Sequence, residues 1–420
     1  MRVLWFTNTP CGAVSYLKQN QGSGGWLVSL EKLVNQNCEL HISFYHHVKV
    51  DSFENQNTHY HPIFIHQNPL QKILNLLRKR FLNTNNTSYL KHVIDKVQPD
   101  IIHIHGSEND FAKISDITSI PIILSIQGVA SAVYANFNGG FSLEQLKSVK
   151  NRNILYHLFG IGFFEKMNLD LYERTLIENL YLGKIKYFFG RTHWDYQLSR
   201  VFSPKAEYFK LNEVLRTSFY ECNPKLNYEL NGTLKLFSIC SNTPNKGFDV
   251  VVGCLQQLNK LGVNFEWQLA GLNATDEIVK LSLQKFGIDK IPTQLKFIGF
   301  CSEDNLQMEL LNSDIFVFTS YIENSPNSLS EAMILGLPCV ATNVGGVSSM
   351  ICNNQSGLLF SAGDYYMLTG CILSLIESIE LREKFGLEGR LSALKFHDKE
   401  MIHEQLFSSY NRILKKYNHV

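Results

Sequence analysis

Asp314-Ile-Phe-Val-Phe-Thr-Ser320-Tyr-Ile-Glu323-Asn-Ser-Pro-Asn-Ser-Leu-Ser-Glu331-Ala-Met-Ile-Leu-Gly336-Leu-Pro-Cys-Val-Ala341 reads as strand, loop, helix, strand. Asp314 to Thr319 and Pro338 to Asn343 are apolar runs, β-branched or aromatic in large part, as strands are. Between them Ser325 is a good N-cap, and Pro326 suits a first helical position, where its missing N–H is not needed. A helix starting there presents the amides of Asn327, Ser328 and Leu329, and free amides at the positive end of a helix dipole suit a phosphate. Glu323 then sits in the loop before the helix and Glu331 about a turn and a half inside it. A ligand at the helix mouth would meet both carboxylates, one placed for the paired hydroxyls of a ribose and the other for those of a sugar. Taken alone, the same residues would also make a capped helix with two surface glutamates. The order of the segments around them argues for the site.

That order repeats outward in both directions. From Thr233 the expected strands are Leu234 to Ser241, Phe265 to Gly271, Gln294 to Gly299, Asp314 to Thr319, Pro338 to Asn343 and Gly357 to Phe360, with helix-like segments between. Before it they are Arg2 to Asn8, Glu39 to His46, Asp100 to His105, Pro121 to Gln127, Lys186 to Gly190 and Glu207 to Leu211. Several are apolar almost throughout, which fits strands covered on both faces in parallel sheets. The polar run Glu221 to Gly232 reads as a linker. The expectation is an α/β chain of two Rossmann-like, doubly wound domains, residues 1–220 and 221–400. A terminal helix, about 400–420 and apolar at Ile402, Leu406, Tyr410, Ile413 and Leu414, would pack back onto the first domain. A length of 420 residues agrees with two domains.

Hydrophobic residues at 45% and charged residues at 18% exclude a disordered chain. Lys and Arg outnumber Asp and Glu by 22 to 16 up to Asn212 and are outnumbered 17 to 22 beyond it, so the halves carry +6 and −5. A basic first half favours an anionic acceptor or a membrane surface rather than a nucleic acid, and the bias is mild. Nine scattered cysteines without a CxxC pair suit reduced thiols in a cytoplasmic protein. The N-terminal run reads as a strand, not a signal peptide, and the most apolar stretch, Ile154 to Phe164, is too short to cross a bilayer. Pro69 to Leu82 reads as a basic amphipathic helix, lying either on a membrane or, as an ordinary surface helix, against the core. Ala130 to Leu180, rich in Phe, Tyr and Leu, is an insertion in the first domain, either an acceptor pocket or a local helical core.

The pair Glu323 and Glu331, with Pro326, Glu331-Ala-Met, Gly336-Leu-Pro-Cys-Val-Ala and Gly345-Gly346, resembles the signature of GT4-type retaining glycosyltransferases, glycosyl transferases group 1. The likeness extends to Asn245-Lys246-Gly247-Phe248-Asp249, Phe297-Ile298-Gly299 and Asn354-Gln-Ser-Gly357, hence to nearly all of the second domain. It is looser at Gly24-Gly25-Trp26, Pro99 to Gly106 and Gly190-Arg-Thr-His-Trp-Asp195. The resemblance implies the GT-B fold, two domains facing each other across a cleft. It implies a nucleotide-sugar donor as substrate, a glycan or lipid-linked acceptor and no cofactor. Lys246 would neutralise the donor diphosphate, Glu323 would hold the transferred sugar and Glu331 the ribose. The backbone of Ser325, Pro326, Asn327, Ser328 and Leu329 would meet the phosphates, that of Gly299 the base. Gly24 and Gly25 would face the phosphates, His105 would join Lys246 and Glu323 as a catalytic residue, and Gly106 and Gln127 would lie on the sugar and acceptor side. Retention would proceed by front-face attack, with leaving-group stabilisation as the main contribution of the protein. The resemblance also suggests a role in cell-surface polysaccharide assembly, in the cytoplasm or at the inner face of its membrane.

The chain departs from the family pattern in places. Ser241 stands where relatives often carry Arg, and Arg191 or Arg216 are the candidates to replace it; Gln127 stands where His is frequent. No Asp-x-Asp occurs, so the expected charge on the diphosphate is Lys246, helix ends and Arg191 rather than a metal. His103 and His105 share a strand face but lack further ligands at metal spacing, and His46, His47, His59 and His61 read as loop residues. Two other readings stay open, a small-metabolite acceptor and a noncatalytic nucleotide-sugar binder.

Overall fold

A computed structural model of the chain describes residues 1–17, 25–65 and 86–418. Gly24 and the amphipathic helix expected over Pro69 to Leu82 lie outside the described residues. The chain forms two compact units. The first comprises Met1–Tyr134, Met167–Arg216 and His397–Val420, the second Ala135–Lys166 and Thr217–Phe396.

Among the described residues the first unit has eight strands: β1 (Arg2–Thr7), β2 (Glu39–His46), β3 (Phe53–Asn55), β4 (Thr58–Phe64), β5 (Ile101–His105), β6 (Ile122–Ser125), β7 (Tyr187–Gly190) and β8 (Glu207–Lys210). Their order is β3-β4-β2-β1-β5-β6-β7-β8, all parallel except β3. β3 and β4 were not expected from sequence. His59 and His61, read as loop residues, lie in β4, whose strand signal is weakened by Pro62 inside a short run with two histidines. Each face of the sheet carries its own core. On one, the helices Gly25–Val34 and Lys399–Asn418 cover Val3, Trp5, Leu40, Ile42 and Tyr60. On the other, the helix Thr87–Val97 covers Leu4, Phe6, Ile63, Ile102 and Ile104. This two-sided covering is why the strands read as continuous apolar runs. The terminal helix contributes Ile402, Leu406, Tyr410 and Ile413, none more than 1% exposed.

The second unit holds β9 (Leu234–Ile239), β10 (Phe265–Ala270), β11 (Leu295–Gly299), β12 (Ile315–Phe318), β13 (Cys339–Thr342) and β14 (Leu358–Phe360), ordered β11-β10-β9-β12-β13-β14 and parallel throughout. One segment expected in the first domain counts with this unit. Ala135–Lys166 docks through Lys285 Nζ, which donates to the Gly140 carbonyl at 2.6 Å, and through Arg152, which pairs with Glu277 and donates to the Thr275 carbonyl at 2.7 Å. Gly139 takes a left-handed φ of +55°, and a side chain there would overlap the Pro244 carbonyl, so only glycine closes this turn.

Candidate functional site

In the second unit the chain leaves β9 toward β10 and β11, then returns to the other side of β9 as β12. The strand order therefore reverses between β9 and β12, and the carboxyl ends flanking such a reversal are where open α/β sheets leave a crevice for ligands. Lys246 follows β9 in the short 3₁₀ turn Pro244–Lys246, and Glu323 follows β12. Lys246 Nζ lies 2.5 Å from Glu323 Oε2, with the two side chains 31% and 27% exposed. Burial alone would lower the Lys246 pKa, but the adjacent Glu323 charge and hydrogen bond outweigh it and raise the value, so the ammonium stays charged.

Both loops are pinned by backbone. Gly247 has φ +74° and lies against the Thr319 carbonyl too closely for a side chain. Thr319 Oγ1 donates to the Lys246 carbonyl at 3.0 Å, and the Tyr321 amide to that of Asn245 at 2.8 Å. Gly345, with φ +50°, packs on the Glu323 carbonyl, and the Gly346 amide donates to that carbonyl at 3.0 Å. The paired glycines after β13 thus fix the height of Glu323. Asp249, 2% exposed, is held by Lys285 Nζ at 2.7 Å and Tyr321 Oη at 3.0 Å, which anchors the start of the helix behind Lys246.

The helix after Glu323 spans Asn327–Ile334, one residue later than expected. Pro326 takes the cap position with extended backbone (φ −70°, ψ 117°), and Ser325 does not cap; its buried Oγ has no hydrogen-bond partner. The Leu329 amide is also spent, donating to the Pro326 carbonyl at 3.1 Å, so the first-turn amides without a helical acceptor are those of Asn327 and Ser328. Glu331 lies in this helix, 5% exposed. Gly299 ends β11 with φ +64°, on the same carboxyl edge two strands from β9.

In the first unit the order reverses between β1 and β5. His105 ends β5 but lies beneath the edge rather than on it. It is fully buried, stacked on His103 at 3.8 Å and edge-on to Trp5, and neither ring nitrogen has a hydrogen-bond partner. Burial, with Arg191 nearby, pushes its pKa down to about 3, so the ring is neutral. Arg191, expected to meet the donor, is 7% exposed and paired with Glu213 at 2.5 Å, which compensates its charge inside the unit. Arg216 lies along Gly25, where a Cβ would be 3.0 Å from its Cδ; Gly25 begins the helix Gly25–Val34. Gln127 follows β6, and its carbonyl accepts from Arg191 Nη2 at 3.4 Å.

Glu108 went unrecognised in the sequence. Its carboxylate accepts from Asn8 Nδ2 at 2.8 Å and from the Gly128 amide at 2.9 Å, tying together the loops after β1, β5 and β6. Burial raises its pKa. Gly106, expected to meet a sugar, has φ +91°, and a side chain there would overlap the Glu108 carboxylate. Gly106 and Gly128 flanking a glutamate were the available signal.

Residues 229–392 match the family described as glycosyl transferases group 1. Among curated proteins, the amylovoran biosynthesis glycosyltransferase AmsK of Erwinia amylovora is 28% identical over 159 residues, covering 36% of this chain and 38% of that protein. The first curated relatives are matched over only 28–38% of their own length. Among solved structures, sucrose-phosphate synthase from Thermosynechococcus elongatus superposes with a TM-score of 0.71 at 14% identity, over 99% of this chain and 100% of that one. Anabaena HepE, solved with UDP and glucose, gives 0.62 at 14% identity, over 98% and 100%. The fold is therefore the GT-B fold, with two parallel-sheet α/β domains.

Proposed function

We propose, on the premise that residues 229–392 belong to glycosyl transferases group 1, that this chain transfers a sugar from a nucleotide diphosphate sugar to a glycan acceptor. The observation that carries the reading is the Lys246–Glu323 pair at the strand-order reversal of the second unit, beside a helix that opens with free amides. A diphosphate at the helix mouth takes the Asn327 and Ser328 amides and draws Lys246 from Glu323. Lys246 then stabilises the charge that develops on the departing nucleoside diphosphate, and Glu323, released from its partner, accepts hydroxyls of the transferred sugar. Positive charge on the leaving group comes from lysine and helix, with no divalent ion in the scheme. The acceptor hydroxyl attacks the face the nucleotide leaves and passes its proton to a phosphate oxygen of the departing nucleoside diphosphate, so configuration is retained. That HepE was solved with UDP and glucose supports a nucleotide-sugar donor.

For the acceptor we favour a lipid-linked glycan of surface-polysaccharide assembly; the likeness to the capsular polysaccharide biosynthesis glycosyltransferase CapM of Staphylococcus aureus, 33% identical over 105 residues, supports the polysaccharide part of that reading. No helix among the described residues is long and apolar enough to cross a membrane. The short helix Ile154–Leu158 instead exposes Ile154 (71%), Leu158 (74%) and, just beyond it, Phe159 (40%), beside Lys147 and Lys150. Such an apolar tip with basic flanks suits the surface of an anionic bilayer, on the cytoplasmic side.

The test is a panel of nucleotide sugars assayed for thermal stabilisation of the chain and for slow hydrolysis. One donor should do both in the wild type, and Lys246→Ala should abolish hydrolysis while leaving part of the stabilisation. Ser241, at the position of the missing arginine, favours the noncatalytic reading; stabilisation by a donor without hydrolysis or transfer would establish that reading instead.

A further inference from the structure

The amino edge of the first sheet gathers imidazoles on one face. β2 and β4 run parallel with His41 beside His59 and Ser43 beside His61, and β3 sets Glu54 beside His59 from the other side. Residues two apart on a strand share a face, so Glu39, His41, His59 and His61 project together. They sit where β2 and β4 begin, whereas Glu108 and His105 sit where the parallel strands end.

Ligand-type atoms of Glu39, His41 and His59 all lie within 4.8 Å of one another. His41 Nε2 is 3.1 Å from Glu39 Oε1, and His41 Nδ1 is 2.9 Å from His61 Nε2. The chain of contacts continues from His61 Nδ1 to Ser52 Oγ at 3.1 Å, and Lys96 Nζ donates to that oxygen at 2.9 Å. Two proton arrangements satisfy this chain. In the first, Ser52 donates to His61, His61 to His41, and His41 Nε2–H to Glu39. In the second every proton moves one place: His61 Nδ1–H donates to Ser52, His41 Nδ1–H donates to His61, and His41 Nε2 turns a lone pair toward the Glu39 carboxylate. A lone pair and a carboxylate at that separation repel each other unless a cation lies between them.

We propose that Glu39, His41 and His59 form a binding site for one zinc-class divalent transition-metal ion, with His61 as the outer partner that orients His41. Two imidazoles and a carboxylate are a ligand set this class of ion favours, and an imidazole ligand that donates its other N–H inward is the usual support for it. Arg2 Nε donates to Glu39 Oε1 at 2.8 Å and competes for it, which leaves the second carboxylate oxygen for the ion. Zinc–ligand bonds of about 2.0–2.2 Å separate neighbouring ligand atoms by roughly 3–4 Å, somewhat closer than the spread found here. The Glu39 and His59 side chains, 45% and 38% exposed, have the room to rotate inward. Solvent completes the coordination. The ion would clamp β2 to β4.

The test uses the full chain after chelator treatment, titrated with zinc chloride by calorimetry and with cobalt(II) chloride followed by visible absorption. One ion per chain should bind, cobalt should show the ligand-field bands of a low-coordinate nitrogen and oxygen site, and zinc should raise the melting temperature. His59→Gln and Glu39→Gln change part-exposed side chains and keep the fold, checked by circular dichroism; each should weaken zinc binding at least tenfold. His61→Ala should weaken it about 10- to 100-fold, as loss of an outer partner does. A wild type that binds no stoichiometric zinc, or His59→Gln and Glu39→Gln variants that bind with wild-type affinity, would overturn the proposal.

Discussion

Both units reverse their strand order once and set polar side chains at the carboxyl edge beside the reversal, yet they treat charge there in opposite ways. In the second unit Lys246 and Glu323 form an ion pair about one-third exposed, on loops locked by Gly247 and Gly345. In the first, Arg191 is sealed against Glu213, His105 is neutral and fully buried, and the Glu108 carboxylate is folded onto Asn8 and Gly128. A part-exposed pair can be exchanged for a charged ligand at small desolvation cost, whereas a buried one resists exchange. Under the proposed function the second unit's pair is the one exchanged for an anion, while the charges of Arg191 and Glu108 stay compensated inside the first unit.

The largest effect should come from breaking that exchange. Lys246→Ala should lower kcat about 10²–10³-fold, the scale seen when one preorganised group at a developing charge is removed. Nucleoside diphosphate affinity should fall less, because the helix amides remain. Steady-state kinetics with the donor found in the panel, set beside calorimetry with the nucleotide alone, separate the two effects. Equal losses in both would reduce Lys246 to a binding group.

A smaller effect tests whether the loops matter as much as the charges. Gly345→Ala puts a Cβ on a left-handed residue, at about 1–2 kcal/mol, and drives it into the Glu323 carbonyl. Glu323 should shift, and donor affinity should drop about 10- to 50-fold with the Lys246 and Glu323 side chains intact. Unchanged affinity would mean that Glu323 does not hold the sugar.

The sequence was most legible where chemistry and backbone demand coincide. The second unit's motif showed itself because glycines at φ +74° and +50°, a proline at the helix start and two glutamates sit at fixed spacing along the chain. The helix start was still misjudged by a residue, since Ser325 and Pro326 are each acceptable caps and only the backbone angles choose between them. Less of the first unit could be read. His105 looked like an edge residue because it ends a strand, and its burial beside Trp5 and His103 is a tertiary fact. Glu108 escaped because its partners, Asn8 and Gly128, lie 100 and 20 residues away. β3 and β4 escaped because a short edge pair rich in histidine carries no apolar run.

The buried histidine makes the contrast measurable by pH. The pKa of His105 falls from an ordinary 6.5 to about 3 on folding, so between those values the unfolded chain binds a proton that the folded chain does not. Stability should therefore rise with pH across that window and be lost as pH falls from 6.5 toward 3. The slope from this one group is at most about 1.4 kcal/mol per pH unit. His105→Gln should flatten the acid limb of a denaturation profile by up to that amount and leave neutral-pH donor binding in place. A limb as steep as the wild type's would mean that the ring is solvated and titrates freely.

The smallest effect concerns how the first unit holds its last helix. Trp5 Nε1 donates to Tyr410 Oη at 3.3 Å, so the Tyr410 hydroxyl is left to donate to His103 Nδ1 at 2.6 Å, and His103 Nε2–H to Ser125 Oγ at 2.7 Å. This fixes one neutral tautomer of His103 and runs a single polar thread through the core, from the terminal helix across β1 and β5 to β6. Tyr410→Phe keeps the ring but orphans the Trp5 donor and the His103 acceptor. Stability should fall by about 1 kcal/mol, toward the lower end of the range for an orphaned buried polar group because the phenyl ring still fills the space. Denaturant unfolding followed by tryptophan fluorescence should show the loss in the transition that reports Trp5, while that of the second unit, reported by Trp267, stays in place. Equal movement of both transitions would show that the two units unfold as one, and the contrast drawn between them would then be chemical but not energetic.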